Sequence, residues 1–383
     1  MSGALHVGLD LLFLVPGQTG GRETYVRELL PALRAAEPRL RVTAFVGREA
    51  AGAGAGFWTE GADRVVALPR VAAESRVRWA LGESLVLPRA ADRADVDVLH
   101  CPANFAPSHG RCVRVLTLHD LLWRRLPEAV SPAMRRGTDV LVPRGARSAH
   151  RVLTGSAATK ADIVSELGVD PGRIDVTPYG LGSTPAPGDA GRGRALLGVG
   201  AGRSVVLCVA TDLPHKNLGA LVEALALTGA AERPLLAFAG HGTGDGRLAG
   251  LAAARGVGAD VRALGAVSAG DLEDLYAAAT VLATPTRFEG FGLPVLEAMA
   301  RGVPVACSDL PVLREVAGDA AVWLDPGDPR QIAGALDGLL ADAAQRERLI
   351  AAGLRHAQAF TWAATARGTL AAYAEAIETA RGR

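Results

Sequence analysis

The sequence predicts an α/β chain of two Rossmann-like halves, each built on a parallel sheet. Three observations carry this. Short β-rich apolar runs alternate with amphipathic, alanine-rich segments along the chain, which is the rhythm of βαβ units. A Pro- and Gly-rich stretch poor in large side chains, LGSTPAPGDAGRGRALLGVGAGR (181–203), breaks that rhythm near the middle. The length, 383 residues, suffices for two domains that each bury a core. The predicted boundaries are an N-terminal domain over 1–182, a linker with a short helix over 183–203, and a C-terminal domain over 204–359. A closing helix over 360–383 packs back toward the N-terminal domain. The two sheets are expected to face a central cleft, with ligands at the carboxyl ends of their strands.

In the first half, HVGLDLLFL (6–14), RVTAFVG (41–47), DVDVLHC (95–101), VRVLTLHD (113–120) and RVLTG (151–155) read as strands. Helices are predicted over 22–36 and 157–168, the latter opened by Ser156 as a cap. In the second half the strands are SVVLCVA (204–210), LLAFAG (235–240), VRALG (261–265), TVLATP (280–285) and VPVACS (303–308). Helices fall at 217–227, 270–279, 294–301 and 330–341, and the tail at 360–380 is amphipathic.

Hydrophobic residues make up 49% of the chain and the mean hydropathy is +0.20. Much of this is alanine, and there is no uninterrupted run of about 18 apolar residues to span a bilayer. The N-terminus lacks a cationic start, and Asp10 interrupts its apolar stretch, so a strand fits better than a signal peptide. A soluble, cytoplasmic protein is the expectation. Cys101, Cys112, Cys208 and Cys307 lie far apart with no C-x-x-C pair, which favours free thiols in a reducing compartment. The net charge is +1, divided into +4 over residues 1–180 and −3 over the rest. That balance argues against a nucleic-acid partner. Lysine survives only at positions 160 and 216, against 39 arginines. Lys160 reads as chance; Lys216 reads as a position needing a compact charge.

Several motifs carry chemistry. Gly20 and Gly21 lie in GQTGGRETYVREL (17–29), a turn that either admits a phosphate to a helix N-terminus or is simply tight. GHGTGDG (240–246) reads as a polar turn. The D-x-D of Asp95 and Asp97 is rejected as a metal site, because alternation into the following strand explains it. His119 and Asp120 end a strand, where ligand contacts concentrate, although Asp120 equally suits a cap. In TDLPHKN (211–217), Thr211 and Lys216 are placed to meet a diphosphate, with Asn217 near a helix cap. In FEGFGLPVLEAMARG (288–302), Glu289 and Glu297 are eight positions apart. Pro294 suits a helix start and Gly302 its end. Glu297 is then either a first-turn acid on the helix dipole or a ligand group, and Glu289 either a solvated loop acid or its partner.

GGRETYVRELLPAL, LTLHDLLW, VLTGSAATKADIVSELGVDPGRIDVTPYG, PHKN and the stretch 275–328 resemble the family 4 glycosyltransferases, in the family's order from about residue 8 to 375. The resemblance implies the GT-B fold, a nucleotide-diphosphate sugar as co-substrate, retention of anomeric configuration and no required metal or other cofactor. It implies that Glu289 lies by the donor sugar and that Glu297 binds the nucleotide ribose. Backbone N–H groups of Phe291, Gly292 and Leu293 would approach the sugar and diphosphate, with Gly290 also in the donor site. Lys216 would neutralise the leaving diphosphate, Gly20 and Gly21 would close over it, and His119 would face the donor sugar. The backbone at Arg262–Gly265 would border the base. His215 stands where relatives carry arginine, Ala210 where they carry glycine, and Arg287 where they carry a small or apolar residue. Arg287 is expected to replace the missing arginine in part.

Three rival readings are a glycoside hydrolase using both carboxylates, a sugar-nucleotide epimerase or phosphorylase on the same fold, and a non-catalytic sugar-nucleotide binder. The acceptor is a hydroxyl compound: a glycan, a lipid-linked sugar or a natural product. The basic-apolar stretches 76–93 and 123–147 suit contact with the inner membrane face, and equally a solvated helix face or a soluble acceptor.

Overall fold

The computed structural model describes residues 4–182, 184–229 and 233–382. The chain divides into two compact units: Met1–Gly182 with Phe360–Arg383, and Ser183–Ala359. Each carries one wholly parallel sheet flanked by helices.

The first sheet has seven strands: β1 (His6–Leu11), β2 (Arg41–Val46), β3 (Arg64–Ala67), β4 (Val98–Cys101), β5 (Val113–Thr117), β6 (Arg151–Thr154) and β7 (Ile174–Val176). Their order is β3-β2-β1-β4-β5-β6-β7. The inner strands are continuous apolar runs because helices cover both faces of a parallel sheet. β1 is buried along its whole length, and Phe45, Leu99, Leu116 and Val152 join one core. The predicted strand 6–14 ends at Leu11, where the chain turns through the Leu14 N–H to Leu11 oxygen bond. DVDVLHC begins its strand only at Val98. Asp95 is a left-handed C-cap (φ 53°) of the preceding helix, and the Asp97 carboxylate accepts the His6 N–H at 2.8 Å.

The second sheet has six strands: β8 (Val205–Val209), β9 (Leu235–Ala239), β10 (Val261–Ala263), β11 (Val281–Thr284), β12 (Val305–Ser308) and β13 (Ala321–Leu324). Their order is β10-β9-β8-β11-β12-β13. Val206, Phe238, Val281 and Leu324 meet Leu221 and Leu336 in the core of this unit.

The stretch expected to be a linker is a packed part of the second unit. Its helix, Ala190–Leu197, lies on the helix Ala269–Ala278. The Asp189 N–H donates to Asp274 Oδ1 at 2.7 Å, and Arg192 pairs with Asp274 at 3.3 Å. The C-terminal helix Trp362–Arg381 belongs to the first unit. Trp362 Nε1 donates to the Leu181 oxygen (2.6 Å), Thr365 Oγ1 to the Pro178 oxygen (2.7 Å), and Tyr373 OH meets His100 Nδ1 at 2.7 Å. Ser156 caps the helix Ala157–Leu167 as predicted, through the Thr159 N–H. Lys160, read as chance, ties that helix to β7 by donating to the Ile174 oxygen at 2.7 Å. All four cysteines are buried free thiols. No described helix is long and apolar enough to cross a membrane.

Candidate active site

In the second unit the loops leaving β8, β9 and β11 converge. After β8 the chain makes a turn, Pro214–Lys216, and Asn217 takes the left-handed conformation (φ 56°) before the helix Leu218–Leu227. The expected cap at Asn217 is not formed. Its side chain instead donates to the oxygens of Pro285 (3.1 Å) and Pro326 (2.8 Å), beyond the ends of β11 and β13. The Arg287 N–H closes on the His215 oxygen at 2.7 Å. These bonds strap the 214–217 turn to the 285–289 loop.

That strapping brings Lys216 to Glu289: Nζ donates to Oε1 at 2.6 Å, with the two side chains 19% and 11% exposed. A largely buried ammonium and carboxylate in contact form a charge-assisted bond. Sequence placed both residues near a diphosphate and a sugar, but not on each other.

The helix after this loop runs Leu293–Ala300, one residue earlier than predicted, with Gly292 at its N-cap. Gly292 has φ 103°, and a Cβ there would stand 2.5 Å from Leu313 Cδ2, so only glycine fits. Glycine has no side chain to cap the first turn, so the N–H groups and the positive end of the dipole at this helix start are left for an anion. Glu297 faces inward: its Oε2 accepts from Tyr276 OH at 3.2 Å. Burial raises its pKa, against the lowering effect of Arg301 and the tyrosine bond. Arg301 itself is held by Glu273 (Nε to Oε2, 2.7 Å). Arg287 and Thr211 are exposed, and the Arg287 side chain has no hydrogen bond or ion pair among the described residues.

The 240–246 turn is more than a polar connection. Gly240 (φ 141°) lies so close to the β8 exit that a Cβ would meet the Ala210 oxygen at 2.1 Å. The Asp212 N–H donates to the His241 oxygen (2.8 Å), and the Gly265 N–H to Thr243 Oγ1 (3.0 Å). The turn thus clips the Thr211 loop to the Arg262–Gly265 segment. Asp212 also pairs with Arg247 (Oδ2 to Nε, 2.8 Å).

In the first unit, Gly20 is the N-cap (φ 66°) of the helix Gly21–Ala36, and open space surrounds both Gly20 and Gly21. The Glu23 carboxylate folds back under this loop and accepts the Gly17 N–H at 3.0 Å. Some of the loop's N–H groups are therefore already satisfied by the protein. His119 is buried, with Nε2 2.6 Å from the Pro102 oxygen and Nδ1 2.8 Å from Tyr179 OH. A carbonyl only accepts, so Nε2 carries the proton and Nδ1 accepts from the phenol. Burial pushes its pKa down to about 4, so the ring is neutral. Asp120 caps the next turn through the Leu122 N–H (3.0 Å). Among the described residues no group of three or more His, Cys, Asp or Glu side chains is placed to hold a metal ion.

Residues 19–181 match the model described as Glycosyltransferase Family 4, and residues 194–356 that of Glycosyl transferases group 1. O-antigen chain mannosyltransferase B of Escherichia coli is 32% identical over 282 residues, covering 72% of this chain and 74% of that protein. D-inositol 3-phosphate glycosyltransferase of Nocardia farcinica is 36% identical over 243 residues, covering 60% of this chain and 53% of its own length. The sucrose-phosphate synthase of Thermosynechococcus elongatus superposes with a TM-score of 0.79 at 22% identity, covering 97% and 98% of the two chains. Anabaena HepE in complex with UDP and glucose superposes with a TM-score of 0.72 at 20% identity, covering 96% and 98%. At such identities the structural likeness shows the fold alone.

Proposed function

The chain belongs to the family 4, group 1 glycosyltransferases, and on that premise we propose that it transfers a hexosyl group from a nucleoside-diphosphate sugar to a hydroxyl acceptor with retention of anomeric configuration. The observation that carries this reading is the Lys216–Glu289 contact beside an uncapped helix start. The departing group of such a reaction is a diphosphate. Its developing charge needs a fixed cation and oriented N–H groups, which is the largest lever a site of this type has.

In this reading Lys216 and the N–H groups of Gly292 and Leu293 stabilise the diphosphate, with the exposed Arg287 guanidinium and Thr211 hydroxyl at its edge. Glu289 orients the Lys216 ammonium and receives sugar hydroxyls, and Glu297 receives the ribose. The sugar–phosphate C–O bond breaks, and the acceptor oxygen bonds the anomeric carbon on the same face. The acceptor proton passes to the leaving phosphate oxygen. A trapped glycosyl-enzyme adduct would contradict this path. His119 enters as a positioning group, since both ring nitrogens are engaged and its task is to fix the turn at Pro102. The first unit, with its open turn at Gly20 and Gly21, we assign to the acceptor.

The names of these relatives speak of an O-antigen chain and of D-inositol 3-phosphate, which supports a polyhydroxylated ring as acceptor. Charge neutralisation by Lys216 and backbone groups supports turnover without a metal, checked by activity in EDTA. The test of the whole reading is a thermal-shift screen with UDP, GDP and dTDP sugars, followed by release of the nucleoside diphosphate in the presence of sugar acceptors. A chain whose melting temperature no sugar nucleotide raises, and which releases no nucleoside diphosphate, would refute it.

A further inference from the structure

Glu297 and Arg301 stand 4 positions apart at one helix, the spacing at which a glutamate and a following arginine ordinarily pair. Among the described residues these two side chains form no ion pair. Arg301 turns instead to the neighbouring helix Ala269–Ala278. There its Nε and Nη2 take both oxygens of Glu273, Nε to Oε2 at 2.7 Å. Its Nη1 donates to the Glu297 carbonyl oxygen at 3.1 Å, and the guanidinium lies 5.0 Å from the Tyr276 ring centroid. The Arg301 and Glu273 side chains are 5% and 12% exposed, so the pair is part of the packed interior.

The Glu297 carboxylate is left with one neutral donor, the Tyr276 hydroxyl on Oε2. Tyr276 is buried, and burial holds its phenol protonated, with a pKa well above the ordinary tyrosine value. Glu297 Oε1 accepts no hydrogen bond among the described residues. A guanidinium fills the acceptor positions of a carboxylate two at a time, whereas a phenol fills one. The helix that carries Tyr276 and Glu273 is itself fixed. A Cβ on Gly188 would stand 2.2 Å from the Glu273 carbonyl oxygen, and one on Gly193 2.1 Å from that of Asp274, so the 188–193 segment lies directly on that backbone.

Resting on the reading that Glu297 receives the ribose, we infer that Tyr276 and Glu273 are positioning residues for that carboxylate. Tyr276 pins one oxygen, Glu273 draws Arg301 away, and Oε1 stays open to the ligand. An open carboxylate oxygen has two lone pairs, which match the two adjacent hydroxyls of a ribose. Each hydroxyl makes a charge-assisted bond, and deleting one leaves part of the carboxylate unpaired. The arrangement therefore selects ribonucleoside diphosphates over their 2′-deoxy counterparts, and sugars carried on dTDP become the poorer donors.

Isothermal titration of the full chain with UDP, GDP, dUDP and dGDP tests this. The wild-type chain is expected to bind UDP or GDP about tenfold or more tighter than the matching deoxynucleotide. Tyr276→Phe and Glu273→Gln should each pull that ratio toward one, the second because the released guanidinium turns onto Glu297. Glu273→Gln/Arg301→Met, with no guanidinium to turn, should recover much of it. Melting temperatures report folding, and Glu273→Gln carries the test if Tyr276→Phe does not fold. A chain that binds neither UDP nor GDP refutes the functional reading, and this inference with it. Binding with no deoxy penalty in wild type refutes the inference alone. So does a folded Tyr276→Phe or Glu273→Gln that weakens both kinds of nucleotide equally, since the residue would then only support the helix. A double variant that recovers nothing also overturns the role given to Glu273.

Discussion

Lys216 and Glu289 hold each other at 2.6 Å although 73 positions separate them in the chain. The contact closes two loops that leave neighbouring strands, β8 and β11. It sets the cation in place before any anion arrives. Lys216→Ala and Glu289→Ala are each expected to lower kcat by about 10²-fold or more, the scale for removing one oriented electrostatic contact. Because the pair acts as a unit, the double variant should fall well short of the product of the two losses. Steady-state kinetics with a transferred sugar check both; near-normal turnover in either single variant would overturn the assignment.

Asn217 does for the backbone what that ion pair does for charge. Asn217→Ala removes two bonds to carbonyl oxygens and leaves a residue poorly suited to φ 56°. A cost of about 1–3 kcal/mol is expected, read as a lower melting temperature. Asn217→Gly relieves the backbone conformation but not the lost bonds, so it should recover only part of that stability.

Two glycines of the second unit should respond in opposite directions. Gly240→Ala drives a Cβ to 2.1 Å from a backbone oxygen at φ 141°, and more than about 3 kcal/mol of destabilisation is expected. Gly250 lies in the helix Arg247–Ala254 with open space around it, so Gly250→Ala should stabilise by about 0.5–1 kcal/mol. Urea titration of both variants decides.

Asp10 and Glu83 are buried neighbours in the first unit, with the Trp79 indole facing the Glu83 carboxyl. Burial raises both carboxyl pKa values, Asp10 to about 6 and Glu83 well above the ordinary carboxylate range, with Asp10's charge adding to the rise of Glu83. A folded-state pKa above the unfolded one means that the native state binds the proton more tightly. The pair's contribution is therefore complete below the unfolded carboxylate range near pH 4 and is lost as pH rises through 6 and beyond. In Glu83→Gln the amide donates to Asp10 in place of the shared proton. Between pH 5 and 8 the wild-type chain should lose about 1–3 kcal/mol that this variant keeps, measured by denaturation at each pH. Parallel pH profiles would exclude a shared proton.

The inner strands were legible in the sequence because both faces of a parallel sheet are covered, which leaves an unbroken apolar run. The strands that sequence reasoning missed, β3, β7 and β13, all lie at sheet edges. There a strand has one neighbour and carries exposed residues such as Arg64 and Val65. The donor-side residues were legible one at a time, through glycines and a scarce lysine. Their mutual contacts were not, since Asn217 reaches 68 and 109 positions along the chain. The Asp10–Glu83 pair escaped notice for the same reason. The π-turn Gly82–Val86 that turns Glu83 inward has no signature in helical periodicity.

The return of the helix Trp362–Arg381 to the first unit has a consequence during synthesis. His100, Tyr179 and the carbonyls of Pro178 and Leu181 wait for partners synthesised only after every residue of the second unit. The second unit emerges as one continuous segment and is free to fold on its own schedule. The first holds an unfinished core until the helix Trp362–Arg381 arrives. A released chain truncated before Trp362 therefore presents chaperones and proteases with one finished body and one open one.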